Sequence, residues 1–193
     1  MNSDVLSFGR LGHRILEEVG GQEIPVLDDT GKSLVLQKVA ADLKEELPAL
    51  GSFLHRQGYI HEVKSAISEF MQYGVGEKEL DALLSYAKGR GALYHKLKDL
   101  KILYQAFAEY TRGRFITTEE TLGLLTKAVD KSRIIRGSVI VFDGFTGFTP
   151  IQYRLIQELY GLAERVIVSV TIDGRENPFQ MGGEQELFYL SKK

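Results

Sequence analysis

Apolar positions recur every three or four residues along most of the chain, the period of a helix with one buried face. Leu11, Ile15, Leu16 and Val19 form the first such stripe, and Gly20-Gly21 stops it. Residues 22–31 read as a loop, with Pro25 and the turn signal Asp28-Asp29-Thr30-Gly31. Val35, Val39, Leu43 and Leu47 predict a helix that ends before Pro48, and Ile60, Val63, Ile67, Phe70 and Met71 predict another. A short helix carries Leu80, Leu83, Leu84 and Ala87 and closes at Gly89 and Gly91. The longest stripe is Leu93, Leu97, Leu100, Leu103, Phe107 and Tyr110. Thr117-Thr118-Glu119-Glu120 then opens a helix with a capping box, followed by Leu122, Leu125 and Val129.

After residue 136 the pattern changes. Ser138-Val139-Ile140-Val141-Phe142 is apolar and β-branched without alternation, which suits a strand covered on both faces. Thr149-Pro150-Ile151-Gln152 starts a helix: Thr149 can cap, Pro150 fits the first helical position and Gln152 can close the box. Ile151, Leu155, Ile156 and Leu159 continue it to Gly161, and Arg165–Val170 is a second strand of the same kind. A strand, a helix and a strand in this order predict a parallel βαβ unit. Ligands of open α/β sheets sit at the carboxyl ends of the strands, here Asp143 and Asp173. The expected picture puts these two carboxylates at one crevice and adds any strand near Val5–Ser7 to the same sheet.

Composition narrows the function classes. The chain has 193 residues, with 44% hydrophobic and 26% charged, which is ordinary for a packed domain. It has no cysteine, so disulfides, zinc–thiolate sites and iron–sulfur clusters are excluded within it. No apolar run reaches the ~20 residues a membrane helix needs, and the first residues lack the regions of a signal peptide. A cytoplasmic location without membrane contact is the expectation. The four histidines, His13, His55, His61 and His95, show no metal-ligand spacing.

Net charge is only −2, so no global field advertises nucleic acid, but the charge is uneven. Lys88, Arg90, Lys96, Lys98 and Lys101 stand against Asp99 alone, and Lys127, Lys131, Arg133 and Arg136 against Asp130. These clusters are candidate DNA or partner surfaces; solvated helix faces are the plainer alternative.

Asp29-Thr30-Gly31-Lys32-Ser33 imitates the end of a phosphate-binding P-loop. That loop needs a glycine where this chain has Val26, after a strand, so that backbone N–H groups can wrap the phosphates. A loop and helix start is the better reading.

The segment from Val139 to Gln152, with Asp143-Gly144-Phe145-Thr146-Gly147-Phe148-Thr149-Pro150 at its centre, resembles the Walker B segment of UvrD-type superfamily 1 helicases. There an apolar strand leads to an Asp-Glu-aromatic string and a helix with Pro and Gln. It is still more similar to the Asp-Gly-Phe-Thr-Gly-Phe-Thr-Pro version in the B subunit of the bacterial ATP-dependent helicase–nuclease, the AddB/RexB family. Gly144 stands where active helicases keep the catalytic glutamate. Ser7-Phe8-Gly9-Arg10-Leu11-Gly12-His13-Arg14-Ile15-Leu16 gives a second match. It resembles the helicase motif Thr-Phe-His followed by Leu-Ala-Tyr-Arg-Ile-Leu, which lies by single-stranded DNA; Gly9 replaces the histidine.

The resemblance implies an internal piece of a longer protein, with the true P-loop upstream of Ser7 and the nuclease domain further on. It implies an α/β fold: a partial RecA-like, P-loop-type parallel sheet with a large, mainly helical insertion. Residues 1–21 and 136–193 would belong to the ATPase-like core and residues 22–135 to the insertion. No catalytic residue is expected in the piece. Asp143 would be a weakened Mg²⁺ residue and Asp173 its neighbour on the next strand. Ser7, Phe8, Arg10, Lys88, Arg90, Lys96, Lys98, Lys127, Lys131 and Arg133 are the candidate DNA contacts. No cofactor is expected on the piece itself, whereas ATP and Mg would serve the full complex. The implied partners are DNA, single- and double-stranded, and the A subunit as heterodimer partner, in DNA double-strand-break processing for recombinational repair. Two rivals stand beside it: a non-enzymatic helical interaction module with a purely structural βαβ unit, and a small nucleotide-binding regulator, against which the missing P-loop argues.

Overall fold

The structure is a computed structural model that describes residues 3–20 and 25–171, with the isolated positions 175, 177 and 180. Within these residues the chain is mixed α/β, mostly helical, with two small parallel sheets. Helix α1 (Phe8–Glu18) is followed by strand β1 (Val26–Leu27) and by helices α2 (Asp29–Asp42), α3 (Gln57–Tyr73), α4 (Glu77–Ala87) and α5 (Gly91–Thr111). Strand β2 (Ile116–Thr117), helix α6 (Thr118–Ala128), strand β3 (Val139–Phe142), helix α7 (Pro150–Leu162) and strand β4 (Arg165–Val168) complete it. No described helix is long and apolar enough to cross a membrane.

Two apolar cores organise these elements. Leu36, Val39, Leu47, Leu54, Ile60, Ile67, Leu103 and Phe107 form the first, where α2, α3 and α5 meet. Ile15, Leu125, Val129, Ile135, Phe142, Leu155 and Leu159 form the second, under α1, α6, α7 and β3. Gly12 lets α1 and α6 approach closely: a β-carbon there would stand 3.4 Å from a Leu125 methyl and 3.6 Å from that of Thr121. Helix α6 therefore belongs by packing with α1 and α7, although it lies within residues 22–135.

The helices follow the apolar stripes, with one early stop. The stripe through Leu43 and Leu47 predicts helix to Pro48, but α2 ends at Asp42 and a 3₁₀ turn spans Lys44–Glu46. Beyond it, the buried Asp99 carboxylate of α5 accepts hydrogen bonds from the Ala49 and Leu50 amides at 2.8 Å each. Two backbone N–H groups converging on one oxygen of this buried carboxylate fix the turn, so Leu47 reaches the core from a turn rather than from a helix face.

The segment read as a loop over residues 22–31 contains β1. It pairs in parallel with β2, Val26 opposite Ile116 and Leu27 opposite Thr117. Strands of two residues have no visible period. Each forms only because the other is brought beside it.

The predicted βαβ unit is present. Strands β3 and β4 are adjacent and parallel, with Val139 opposite Arg165 and Phe142 opposite Val168, and α7 connects them. One expectation about this sheet is corrected. Both faces of the strands were expected to be covered. Instead Ile140 and Phe142 turn to the second core, while Val139, Val141, Ile167 and Val168 are exposed, Val141 at 57%. Side chains alternate along β3, and the described helices cover only its Ile140 and Phe142 face, while of β4 Val166 packs on this core. The sequence assigns any strand near Val5–Ser7 to this sheet, but no strand forms there; Val5 is 98% exposed, and the chain enters α1 directly from an extended Ser7.

Candidate functional site

The two sequence motifs meet in space at the carboxyl end of β3. Phe8, in the first turn of α1, stacks on Phe142 at a centroid distance of 5.6 Å and meets Phe145 edge-on at 5.5 Å. Phe145 stacks on Phe148 at 5.0 Å, and Phe148 meets Tyr153 edge-on at 5.6 Å. Five aromatic rings thus lock the α1 start, the end of β3, the loop after it and the start of α7 into one unit. Aromatic pairs of this kind contribute about 0.5–1.5 kcal/mol each beyond area burial.

This cluster fixes the loop that carries Asp143. The Asp143 side chain is exposed, and its carboxylate accepts a hydrogen bond from the Ser169 hydroxyl just past β4. Ser169 N–H in turn donates to the Phe142 carbonyl at 2.9 Å, so the two strand ends are tied twice. Asp173 lies outside the described residues. Gly144 follows with φ +76°, a left-handed conformation that side-chain-bearing residues adopt at a cost of about 1–2 kcal/mol. The residue that replaces a glutamate in the resembling helicases is thus also the residue the backbone requires here. At the start of α7, Gln152 accepts from the Thr149 N–H at 2.8 Å. The Thr149 hydroxyl finds no partner among the described residues, so the predicted box forms in its return half only.

The candidate DNA contacts fall in three places. Ser7 is the cap of α1, its hydroxyl accepting from the Arg10 N–H at 3.3 Å. Phe8 is taken up by the aromatic cluster, while Arg10 is exposed. Lys88, Arg90, Lys96 and Lys98 are all exposed around the turn between α4 and α5. Lys101, further along α5, pairs with Asp81 at 2.5 Å. Lys127, Lys131 and Arg133 are exposed at and beyond the end of α6, and Arg136 donates to the Asp130 carbonyl at 2.7 Å.

Two further polar groups, Glu18, which sequence reasoning does not single out, and Lys32, which it does, tie segments remote along the chain to one another. Glu18, at the end of α1, accepts from the Ser132 hydroxyl at 2.7 Å and from the Arg133 N–H at 2.8 Å. The Ser132 hydrogen bond foremost, with help from the backbone donors, holds the Glu18 carboxyl below its ordinary range. Lys32, of the P-loop-like string, points inward. Its ammonium lies 3.0 Å from Glu119, 3.0 Å from Asp29 and 3.0 Å from the Ser68 hydroxyl. Burial opposes the charge on Lys32, but the two carboxylates outweigh it and raise its pKa. Lys64 and Lys32 together hold Asp29 down at about 2. A lysine occupied in this way cannot serve a phosphate. Among the described residues no group of three or more His, Asp or Glu side chains is placed to hold a metal ion.

The amino-acid sequence is similar to those of known proteins. A family model described as "ADDB, N-terminal" matches residues 1–193. The B subunit of the ATP-dependent helicase/deoxyribonuclease of Lachnoclostridium phytofermentans is 43% identical over 192 residues, covering 100% of this chain and 17% of that protein. The corresponding B subunits of Thermoanaerobacter sp. and Desulforamulus reducens are 35% and 36% identical, covering 100% and 89% of this chain and 16% and 15% of their own lengths. The chain thus spans about a sixth of the curated relatives it matches, and with a whole-length family match it belongs to the AddB N-terminal family.

Proposed function

We propose that this chain is the N-terminal region of the B subunit of an ATP-dependent helicase/deoxyribonuclease, and that it contacts DNA and its partner subunit without hydrolysing ATP. The observation that carries the reading is Asp143 at the carboxyl end of β3, followed by Gly144 at φ +76°. The carboxylate of a Walker B-like strand is kept, and the glutamate that would orient the attacking water is replaced by a residue with no base to offer.

The uncovered face of β3 and β4 supports the finer architecture. Parallel strands are stable when buried on both faces, so this pair fits a larger RecA-like sheet completed by other parts of the parent protein. In that arrangement residues 1–21 and 136–193 form the ATPase-like core and residues 22–135 the helical insertion, whose last helix, α6, packs on α1 and α7 of that core. One exposed carboxylate beside a hydroxyl, Asp143 with Ser169, suits a Mg²⁺ ion held mainly through water and nucleotide phosphates. ATP and Mg²⁺ belong to the full complex, as do the A subunit, duplex and single-stranded DNA, and the repair of double-strand breaks by recombination in the cytoplasm.

The test is phosphate release from Mg·ATP by the purified chain with and without single-stranded DNA. Release at background is expected in both cases, since positioning and electrostatics supply nearly all phosphoryl-transfer catalysis and both are missing. DNA-stimulated release that disappears in Asp143→Ala would overturn the reading.

A further inference from the structure

Helices α4 and α5 form an antiparallel arm. The stripe of α5 is buried at Leu103 and Phe107 and open at Leu93, and on α4 Leu80 is buried while Leu83 is exposed. The turn between the helices, residues 88–90, lies at the end of the arm away from Leu103 and Phe107, with Ala87 buried just before it.

Two features coincide at this end. The first is charge. Residues 82–98 hold Lys88, Arg90, Lys96 and Lys98 and no carboxylate. The acids of α4 lie at its far end, where Glu77 and Asp81 face Lys101. Of the two acids of α5, Asp99 is buried and accepts from the Ala49 and Leu50 amides, and Glu109 lies at the far end of the helix, paired with Arg112. The second is an aromatic surface left in water. Tyr86 is 67% exposed, and the Arg90 guanidinium stands over its ring at 4.4 Å from the centroid while donating to its hydroxyl at 2.9 Å. Tyr94 and His95 meet edge-on at 5.6 Å in the first turns of α5. A flat ring and a flat guanidinium thus lie together beside Lys88, Lys96 and Lys98, which have no ion pair among the described residues.

We infer that the tip of the α4–α5 arm is a binding site for single-stranded DNA, in which Tyr86 and Arg90 stack a base and Lys88 and Lys96 hold the flanking phosphates. The inference rests on the reading of the chain as DNA-contacting and adds to it the strand form and the residues. Stacking planes have no use for a duplex, whose bases are already stacked, but they serve an unpaired base of any identity. The lysines supply the sequence-independent, salt-sensitive part of the affinity. An acidic protein segment would use the lysines and leave Tyr86 idle.

The experiment is fluorescence anisotropy of the 193-residue chain with a labelled oligo-dT and its duplex counterpart over a salt series. An oligonucleotide carrying 2-aminopurine reports stacking directly. The variants are Tyr86→Ala, Tyr86→Phe, Arg90→Lys and Lys88→Glu. All these positions are exposed, and circular dichroism checks the fold of each. Expected are preference for the single strand and loss of about fivefold or more in affinity in Tyr86→Ala, with the change in 2-aminopurine emission abolished. Tyr86→Phe stays within about twofold, and Arg90→Lys, which keeps the charge but not the plane, weakens binding. Tyr86→Ala leaves the salt dependence intact, whereas Lys88→Glu lowers its slope by about 0.7 per lost phosphate contact. If the chain binds single strands but Tyr86→Ala and Arg90→Lys match the wild type, this site is overturned and the DNA-contacting reading stands. Preference for duplex also overturns it. If the chain binds no DNA at low salt well into the micromolar range, both the site and the DNA-contacting reading fall.

Discussion

Replacing Lys32 by methionine tests whether the P-loop-like string is a structural device. The Lys32 side chain is 3% exposed and Glu119 is 7% exposed, with 3.0 Å between ammonium and carboxylate. Methionine keeps most of the apolar stem and removes the charge, so the loss falls on Glu119. One oxygen of that carboxylate already has no partner among the described residues. Breaking a buried pair from one side costs about 3–5 kcal/mol, because an uncompensated charge stays in the interior. Asp29, the third member, is 71% exposed and screened, and adds well under ~1 kcal/mol. Lys32→Met is therefore expected to lose about 3 kcal/mol, and Glu119→Leu a similar amount. The double variant should lose much less than their sum, since replacing both partners by apolar groups is often nearly neutral. The chain has no tryptophan, so urea unfolding is followed by far-ultraviolet circular dichroism. A Lys32→Met variant within about 0.5 kcal/mol of the wild type would refute the argument. So would ATP that raises the melting temperature of the wild type and not of the variant, because Lys32 would then be serving a phosphate.

Phe142→Ala should cost about 3–5 kcal/mol, because it removes the buried ring on which Phe8, Phe145 and Phe148 pack; thermal melting of the variant checks this. Gly12→Leu should cost about 1–3 kcal/mol by forcing α1 from α6, whereas Gly12→Ala, whose methyl makes near-ordinary contact, should melt close to the wild type. Glu18 and Asp29 both have depressed pKa values, so their stabilisation is complete above their ordinary values of 4.5 and 3.8 and is lost as pH falls, for Asp29 down through about 2. Glu18→Gln should flatten the acid side of the stability–pH curve below about pH 4.5, read by urea midpoints at stepped pH.

Local chemistry settled much of this protein before any folding in space. The helices from α1 to α7 lie where the apolar stripes put them, except that α2 stops short of Leu43 and Leu47, because a helix buries one face at a fixed period and its ends carry recognisable caps. The parallel pairing of β3 with β4 followed from a βαβ order that leaves little other choice. The Asp143 and Phe8 segments were each legible as motifs. What the sequence could not place was whatever depends on partners remote along the chain. Strands β1 and β2 are too short to show a period and exist only as a pair. Lys32 reads like a phosphate lysine until Glu119, 87 residues away, is seen to hold it. Glu18 looks like a solvated end of a helix until Ser132, 114 residues on, sits on it. Apolar runs said that β3 and β4 belong in an interior, but only packing decided which face the described helices cover. The union of the two motifs, through Phe8 stacked on Phe142, was likewise a tertiary decision. Periodicity and capping act within a few residues, whereas burial of a charge or a ring is decided by which surfaces the finished packing brings together.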